Sequence, residues 1–563
     1  MKKSKNIVTL IMFLALILNF FVLSLTSAEN IKQKDILKSK LVVEGNEEGE
    51  RLSIVNSKGI FIPVEILKKY FDNDISIKEE ENRLHIVIQK PAFTLENFTL
   101  SNRIKDGVSL NFPIQNIDGV NYINIKGIEK ILGISSSYIK DSNILILDKI
   151  KDKQMIGKTV NKTKLKSPYN KFFFYIPTIR YINKGEKVFI FDEKGNDYKV
   201  RTKQGEVGFI KKDELQLGWE VYNNDLKLNT LRENYSPKGK INIVWDQITD
   251  MTPDTGDEDK IDGLDVIVPT WFSVINDKGY ILNKGDYKYV ENAHNKGYKV
   301  WALIDNNFDK ELTSKILKSS DAKKNIINQL LIYSSIYNLD GINIDFENVY
   351  YEDKDRFTNF ISELTQTLKQ QNISVSIDIT VPSASPTWSK FYDRQKLGKI
   401  VDYCMLMAYD ETPGDSKLSG PVASINWVTK GITDTIKSGI PGEKLILGIP
   451  FYTRQWEEAK DTKGNISVKS KTLSMKAVNK IIMENDCKPV WLSNYGQNYI
   501  EYAKAGKRYR IWIEDKKSVK LKSDLVAKYN LKGISSWRKG FEEPDIWEVI
   551  NYTVKGEKIA SSN

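Results

Sequence analysis

The chain has 563 residues, more than one hydrophobic core ordinarily organises, and this length predicts two to four domains. Apolar residues make up 40% and aromatic residues 11%, ample for burial, and the formal charge is +11. Two cysteines, Cys404 and Cys487, are too few for a disulfide framework, and the two histidines, His85 and His294, fall in different domains, which excludes histidine triads and histidine zinc sites.

Residues 1–28 read as a signal peptide. Lys2, Lys3 and Lys5 precede an apolar run from Ile7 to Leu25, and Thr26-Ser27-Ala28 supplies small residues for cleavage after Ala28. The run is nearly long enough to span a bilayer, so an uncleaved N-terminal anchor is the alternative. No later segment is apolar enough to cross a membrane. Cleavage would remove three lysines and no acid, leaving a formal charge of +8. The remaining lysines are scattered rather than blocked, and no nucleic-acid motif accompanies them. The expected partner is therefore an anionic polymer such as a cell wall, with solubility alone as the plainer explanation.

Residues 30–151 repeat themselves. Gly59 to Leu67 leads to Leu84 to Ile88, and Val120 to Ile125 leads through Ile128 and Leu132 to Ile144 to Leu147, each half reading as strand, short amphipathic helix, strand. The pattern resembles the copper-amine-oxidase N-terminal-like module of exported wall enzymes. No ligand cluster accompanies it, so copper is not implied, and a passive spacer and a wall-binding role both stay open. Residues 165–217 follow, with short alternating strands at Lys184 to Ile190, Tyr198 to Thr202 and Gly205 to Ile210 between glycine turns. They resemble a bacterial Src-homology-3-like barrel. Residues 161–166 and 223–240 read as linkers.

From residue 235 to 555 strands alternate with amphipathic helices, the pattern of a parallel α/β architecture. Candidate strands are Ile241 to Trp245, Val266 to Thr270, Val300 to Ile304, Gly341 to Glu347, Ser374 to Ile379, Tyr403 to Tyr409, Leu445 to Ile449 and Gly533 to Trp537. Asp355 to Lys369 carries Phe357, Phe360, Ile361, Leu364 and Leu368 at the spacing of a helix packed by one face. Arg510 to Asp515 reads as a strand of a small insertion near the cleft.

The richest segment is Asp340-Gly-Ile-Asn-Ile-Asp-Phe-Glu347. In an extended strand Asn343, Asp345 and Glu347 point one way and Ile342, Ile344 and Phe346 the other. Burying carboxylates without partners is costly, and the usual escape is a raised pKa. A glutamic acid kept protonated near neutral pH can donate its proton to a leaving-group oxygen.

This segment is similar to the D-x-x-D-x-D-x-E signature of glycoside hydrolase family 18, the chitinase-like (β/α)8 barrels, and the form D-G-I-N-I-D-F-E-N resembles its spore-cortex and cell-wall N-acetylglucosaminidase branch. Met407-Ala408-Tyr409-Asp410 resembles the family's M-x-Y-D. One position departs, since Asn343 stands where the family has an aspartate that shares a proton with the next one. The resemblance implies a (β/α)8 barrel with its site at the strand C-termini. It implies Glu347 as general acid and then base, Asp345 orienting the substrate's acetamido N–H, and Tyr409 donating to the acetamido oxygen. Asn343, Met407 and Asp410 would line the sugar subsite and Trp537 would form its floor. This route is substrate-assisted and retaining, so Asp345 and Glu347 are not a nucleophile and acid pair.

The resemblance thus implies a secreted or wall-associated hydrolase of β-1,4 bonds in an N-acetylated polysaccharide, peptidoglycan or chitin, with no cofactor and no metal. The competing reading is a non-catalytic carbohydrate-binding wall protein on the same barrel. Trp245, Trp271 and Tyr452 are read either as cleft residues or as core filling, and Asn348 as a cap on the next turn. Exo or endo action and oligomeric state are not legible in the sequence.

Overall fold

The computed structural model describes residues 37–71, 75–80, 82–88, 94–95, 100, 103–105, 107–167, 176–221, 227–228, 235 and 237–556. The expected signal segment 1–28 and most of the expected linker 223–240 lie outside them. No helix among the described residues is long and apolar enough to cross a membrane. The chain divides into two compact units, one from residues 1–62 and 136–222 and one from residues 63–135 and 223–563.

In the first unit, Leu37–Val43 pairs antiparallel with Asn46–Asn56 and parallel with Ile144–Lys149. A seven-stranded sheet follows, with Thr178–Ile182 and Leu215–Val221 as its edge strands. Leu165, Ile182, Val188, Ile190, Val200, Ile210 and Leu215 form its core. The segment expected to be a linker contributes the strand Thr163–Lys166, because Thr163 and Leu165 alternate into that core. In each half of the sequence repeat an additional strand stands between the short helix and the last expected strand, Ile75–Glu80 in the first half, which falls in the second unit, and Ile134–Ile139 in the second half.

The second unit is built on a closed barrel of eight parallel strands: β1 (Ile241–Asp246), β2 (Val266–Pro269), β3 (Lys299–Asp305), β4 (Gly341–Asp345), β5 (Ser374–Thr380), β6 (Tyr403–Met407), β7 (Leu445–Pro450) and β8 (Gly533–Trp537). Each pairs in parallel with the next, and β1 closes onto β8. These strands are buried almost throughout, as a parallel sheet covered by helices requires. The expected helix occupies Lys354–Lys369 and buries Phe357, Phe360, Ile361, Leu364 and Leu368. Between β7 and β8 a five-stranded antiparallel sheet is inserted, with Lys507–Ile513 paired to Gln497–Lys504 and Tyr452–Lys460.

Within this unit the strand Val108–Pro113 is bonded to the barrel. The Asn111 N–H donates to the Tyr333 hydroxyl at 2.9 Å, the Asn283 N–H donates to Asn111 Oδ1 at 3.1 Å, and Asn283 Nδ2 donates to the Asn111 carbonyl at 2.8 Å. Phe112 meets the Tyr333 ring edge-on, centroids 6.0 Å apart. All of these groups are buried, so this strand covers part of the barrel's outer packing.

Candidate active site

The C-terminal ends of β3, β4, β5 and β6 bring carboxyl groups together. β4 stops at Asp345, two residues earlier than expected, and Phe346 turns outward onto Phe357 and Phe360. Glu347 therefore sits in the loop, and its backbone is clamped by the buried Asn306. Asn306 Nδ2 donates to the Glu347 carbonyl at 2.8 Å, and the Glu347 N–H donates to Asn306 Oδ1 at 3.0 Å. Thr313 Oγ1 accepts from the same Asn306 amide at 2.8 Å and fixes its orientation.

The Glu347 carboxyl is half-buried, and its pKa is raised to about 7 by burial first and by the negative charge of Asp410 second. Near neutral pH such a group can give a proton and take one back. Asp345 is pushed well above the usual carboxylate range, mainly by burial and then by Glu347, Asp378 and Asp305. Its Oδ1 is buried without a hydrogen-bond partner among the described residues. Asp305 lies opposite it in the β3–β4 register and accepts from Ser273 Oγ at 2.9 Å.

Asn343 does not line a ligand surface. It is fully buried inside the barrel, where Oδ1 accepts from Trp245 Nε1 at 3.1 Å and Nδ2 donates to Asp378 Oδ1 at 2.8 Å and Ser376 Oγ at 3.0 Å. This corrects the expectation that Asn343 binds substrate directly, because the inward pleat of β4 places it one layer below Asp345. Met407, at the end of β6, is also buried.

β6 ends at Met407, so Tyr409 and Asp410 stand in the following loop. Tyr409 is half-buried between Trp245 and Tyr452, edge-on to both at 6.4 and 6.2 Å between centroids. Burial keeps its phenol pKa far above neutrality, so the hydroxyl remains a donor. Asp410 adopts a left-handed φ of 60°. Its Oδ1 accepts from Arg454 Nη2 at 2.6 Å and from the Tyr452 hydroxyl. Trp537 ends β8, half-buried, with its ring 6.1 Å from that of Trp245. Trp245 and Trp271 are core residues, whereas Tyr452 reaches the site through Asp410. Asn348 takes a left-handed φ of 51° and donates to the Phe308 carbonyl at 2.9 Å.

Several neighbours escaped the sequence reading: Asn306, Asp305, Asp378, Arg454 and an aromatic pair at the rim. Phe308 and Trp388, 52% and 43% exposed, follow β3 and β5 and lie 6.1 Å apart. Asn348 bonds to the Phe308 carbonyl, and the Val349 N–H donates to the Thr387 carbonyl at 3.0 Å, so both rings border the Glu347 loop. Exposed aromatic rings flanking polar acids suit the apolar faces and hydroxyl edges of a carbohydrate.

The sequence profile of glycosyl hydrolases family 18 matches residues 244–541, more than half of the chain. The chain is 32% identical over 290 residues to an uncharacterized glycosylase, YvbX, of Bacillus subtilis (strain 168), a match spanning 50% of this chain and 81% of that protein. It is 22% identical over 251 residues to a cortical fragment-lytic enzyme of the same organism, spanning 43% of this chain and 56% of that protein. Among solved structures, the spore cortex-lytic enzyme SleL of Bacillus cereus superposes with a TM-score of 0.50 at 20% identity, covering 67% of this chain and 90% of SleL, a likeness of fold.

Proposed function

The chain belongs to glycosyl hydrolase family 18 and is a glycosidase, and on that premise we propose that it cleaves β-1,4 bonds of N-acetylglucosamine-containing glycans, peptidoglycan first and chitin second. The observation that carries the reading is Glu347, a half-buried acid with a pKa of about 7, held by its backbone through Asn306 two residues beyond Asp345.

In this reading Glu347 gives its proton to the glycosidic oxygen as the bond to the anomeric carbon breaks. The substrate's acetamido oxygen attacks that carbon and forms an oxazolinium, which Asp345 steadies through the acetamido N–H while Tyr409 donates to the acetamido oxygen. The Glu347 carboxylate then takes a proton from water as the water opens the oxazolinium, restoring the acid and retaining the anomeric configuration. A sugar without an N-acetyl group has no internal nucleophile and is not cleaved. Trp537 and Asp410 border the N-acetyl sugar, and the basic charge suits an enzyme exported to an anionic wall.

Mass spectrometry of digests of purified peptidoglycan, spore cortex and chitooligosaccharides tests the reading. N-acetylglucosamine at the new reducing ends is the expected product. N-acetylmuramic acid there, or no cleavage of any N-acetylated glycan, contradicts it.

A further inference from the structure

The inward face of β5 carries a carboxyl group that the mechanism above leaves unused. Asp378 is buried, and its Oδ1 accepts from Asn343 Nδ2 at 2.8 Å. The β4–β5 register pairs Ile344 with Ile377, so the next residue on each strand, Asp345 and Asp378, stands at the same level. Adjacent strands lie about 4.8 Å apart, which places the two carboxyl groups in one interior layer. Asp305 completes that layer on the far side of Asp345. Two buried carboxyl groups this close do not both ionise.

The orientation of Asn343 says which member of the pair carries the charge. The Trp245 indole can only donate, so it fixes Asn343 Oδ1 as acceptor and turns the amide NH2 toward Asp378. Asp378 thus has a donor that favours its carboxylate, whereas Asp345 Oδ1 has no partner among the described residues and suits the neutral acid. An ionised aspartate at position 343 could not supply that donor.

We propose that Asp345 and Asp378 form a one-proton pair in which Asp378 supplies the second carboxyl that Asn343 cannot, acting on catalysis as a positioning residue through Asp345. At rest the proton sits on Asp345 and the charge on Asp378. As positive charge grows on the oxazolinium, the Asp345 O–H bond breaks and an O–H bond forms on Asp378. Asp345 becomes the carboxylate, Asp378 the neutral acid, and the net charge of the pair is unchanged. Burial raises Asp378 most, and the Asn343 amide and the Trp245 N–H offset part of that rise. The ionisable groups facing the pair are Glu347 and Asp305 from the neighbouring strand ends, Tyr409 and Cys404 from β6 and its loop, and Tyr392 from the loop after β5.

The catalytic consequence rests on the glycosidase reading, but the proton itself can be read without turnover. In full-length protein carrying Glu347→Gln, which removes the acid that the reaction itself titrates, infrared spectroscopy follows the carbonyl stretch of protonated carboxyl groups against pH. Asp345→Asn and Asp378→Asn, each added to that background, should affect the same band. The first abolishes it, and the second lowers its titration midpoint by roughly 1–3 pH units, because Asp345 loses its charged neighbour. A band unaffected by Asp345→Asn, or a midpoint unmoved by Asp378→Asn, overturns the proposal whether or not the enzyme acts on the proposed glycan.

With Glu347 intact, Asp378→Asn and Asn343→Asp should each alter the acidic limb of the turnover profile. The double variant, which moves the second carboxyl from β5 to β4, should recover at least tenfold over the poorer single variant. A double variant no better than the poorer single one contradicts a shared proton and leaves Asp378 a packing residue.

Discussion

The side chain of Asn306 grips the backbone of Glu347 from both directions, donating to its carbonyl at 2.8 Å and accepting its N–H at 3.0 Å. β4 has already ended at Asp345, so this clamp holds Glu347 where strand hydrogen bonds no longer do. Replacing Asn306 with Ala leaves both backbone groups to find water or go unpaired, a cost of about 1–3 kcal/mol. Asn306→Ala should lower kcat by on the order of 10- to 100-fold with a smaller change in KM, since a displaced acid loses reach before the cleft loses sugar contacts. Steady-state kinetics of the purified variant checks this, and an unchanged kcat would show that the clamp is dispensable.

Asp410 and Arg454 should move the alkaline limb of activity in opposite directions. Glu347 acts as an acid only while protonated, so activity is present below its pKa of about 7 and lost as pH rises through it. Asp410 raises that pKa, and Arg454 Nη2 stands 2.6 Å from the Asp410 carboxylate and partly neutralises it. Asp410→Asn therefore shifts the limb down and Arg454→Met shifts it up. The profile of kcat/KM against pH reads both, and shifts of the same sign would contradict this electrostatic coupling.

The rim pair Phe308 and Trp388 should act on binding rather than chemistry. Trp388→Ala removes an exposed ring beside the Glu347 loop and should raise KM for long glycans about 3- to 10-fold, with kcat nearly unchanged, in keeping with the roughly 0.5–1.5 kcal/mol of a ring contact. Comparing long with short N-acetylated oligosaccharides makes the test. An equal effect on both would place the ring outside the sugar path.

Asn111 should matter to the stability of the barrel. It serves Tyr333, Asn283 and the Ile281 carbonyl, all buried, so Asn111→Ala strands several polar groups at once and should cost about 2–4 kcal/mol. Urea denaturation measures the loss. A chain beginning near Leu217 would lack this strand altogether and should unfold at lower denaturant than the full chain, and an equal midpoint would restore the spacer reading.

All eight barrel strands were legible because each is a short apolar run ending in polar residues, and only their ends differ by one or two positions. The ends matter most at β4 and β6, where alternation alone carries the strand through Glu347 and Tyr409. In the fold the Asn306 clamp and the left-handed Asp410 interrupt it. Asn306, Arg454 and Trp388 stayed hidden because they reach the site from separate segments, the loop after β3, the inserted strand Tyr452–Lys460 and the turn Pro386–Lys390, and sequence spacing carries no information on which segments meet. Asp378 was readable in part: Ser374, Ser376 and Asp378 alternate as polar residues along a buried strand, the same signal that drew attention to Asn343 and Asp345. The N-terminal repeat was visible as periodicity, but a buried strand face does not announce what covers it, and Val108–Pro113 found its cover on the barrel.

The central claim is that Glu347 is the proton donor at the scissile bond. Glu347→Gln keeps the size and backbone bonds of the residue and removes only the transferable proton. Turnover of an N-acetylated glycan by this variant should fall by on the order of 10²–10⁴, or about 3–5 kcal/mol of transition-state stabilisation, with sugar binding largely intact. A folded Glu347→Gln protein that turns over the same glycan at nearly the parent rate would contradict the assignment.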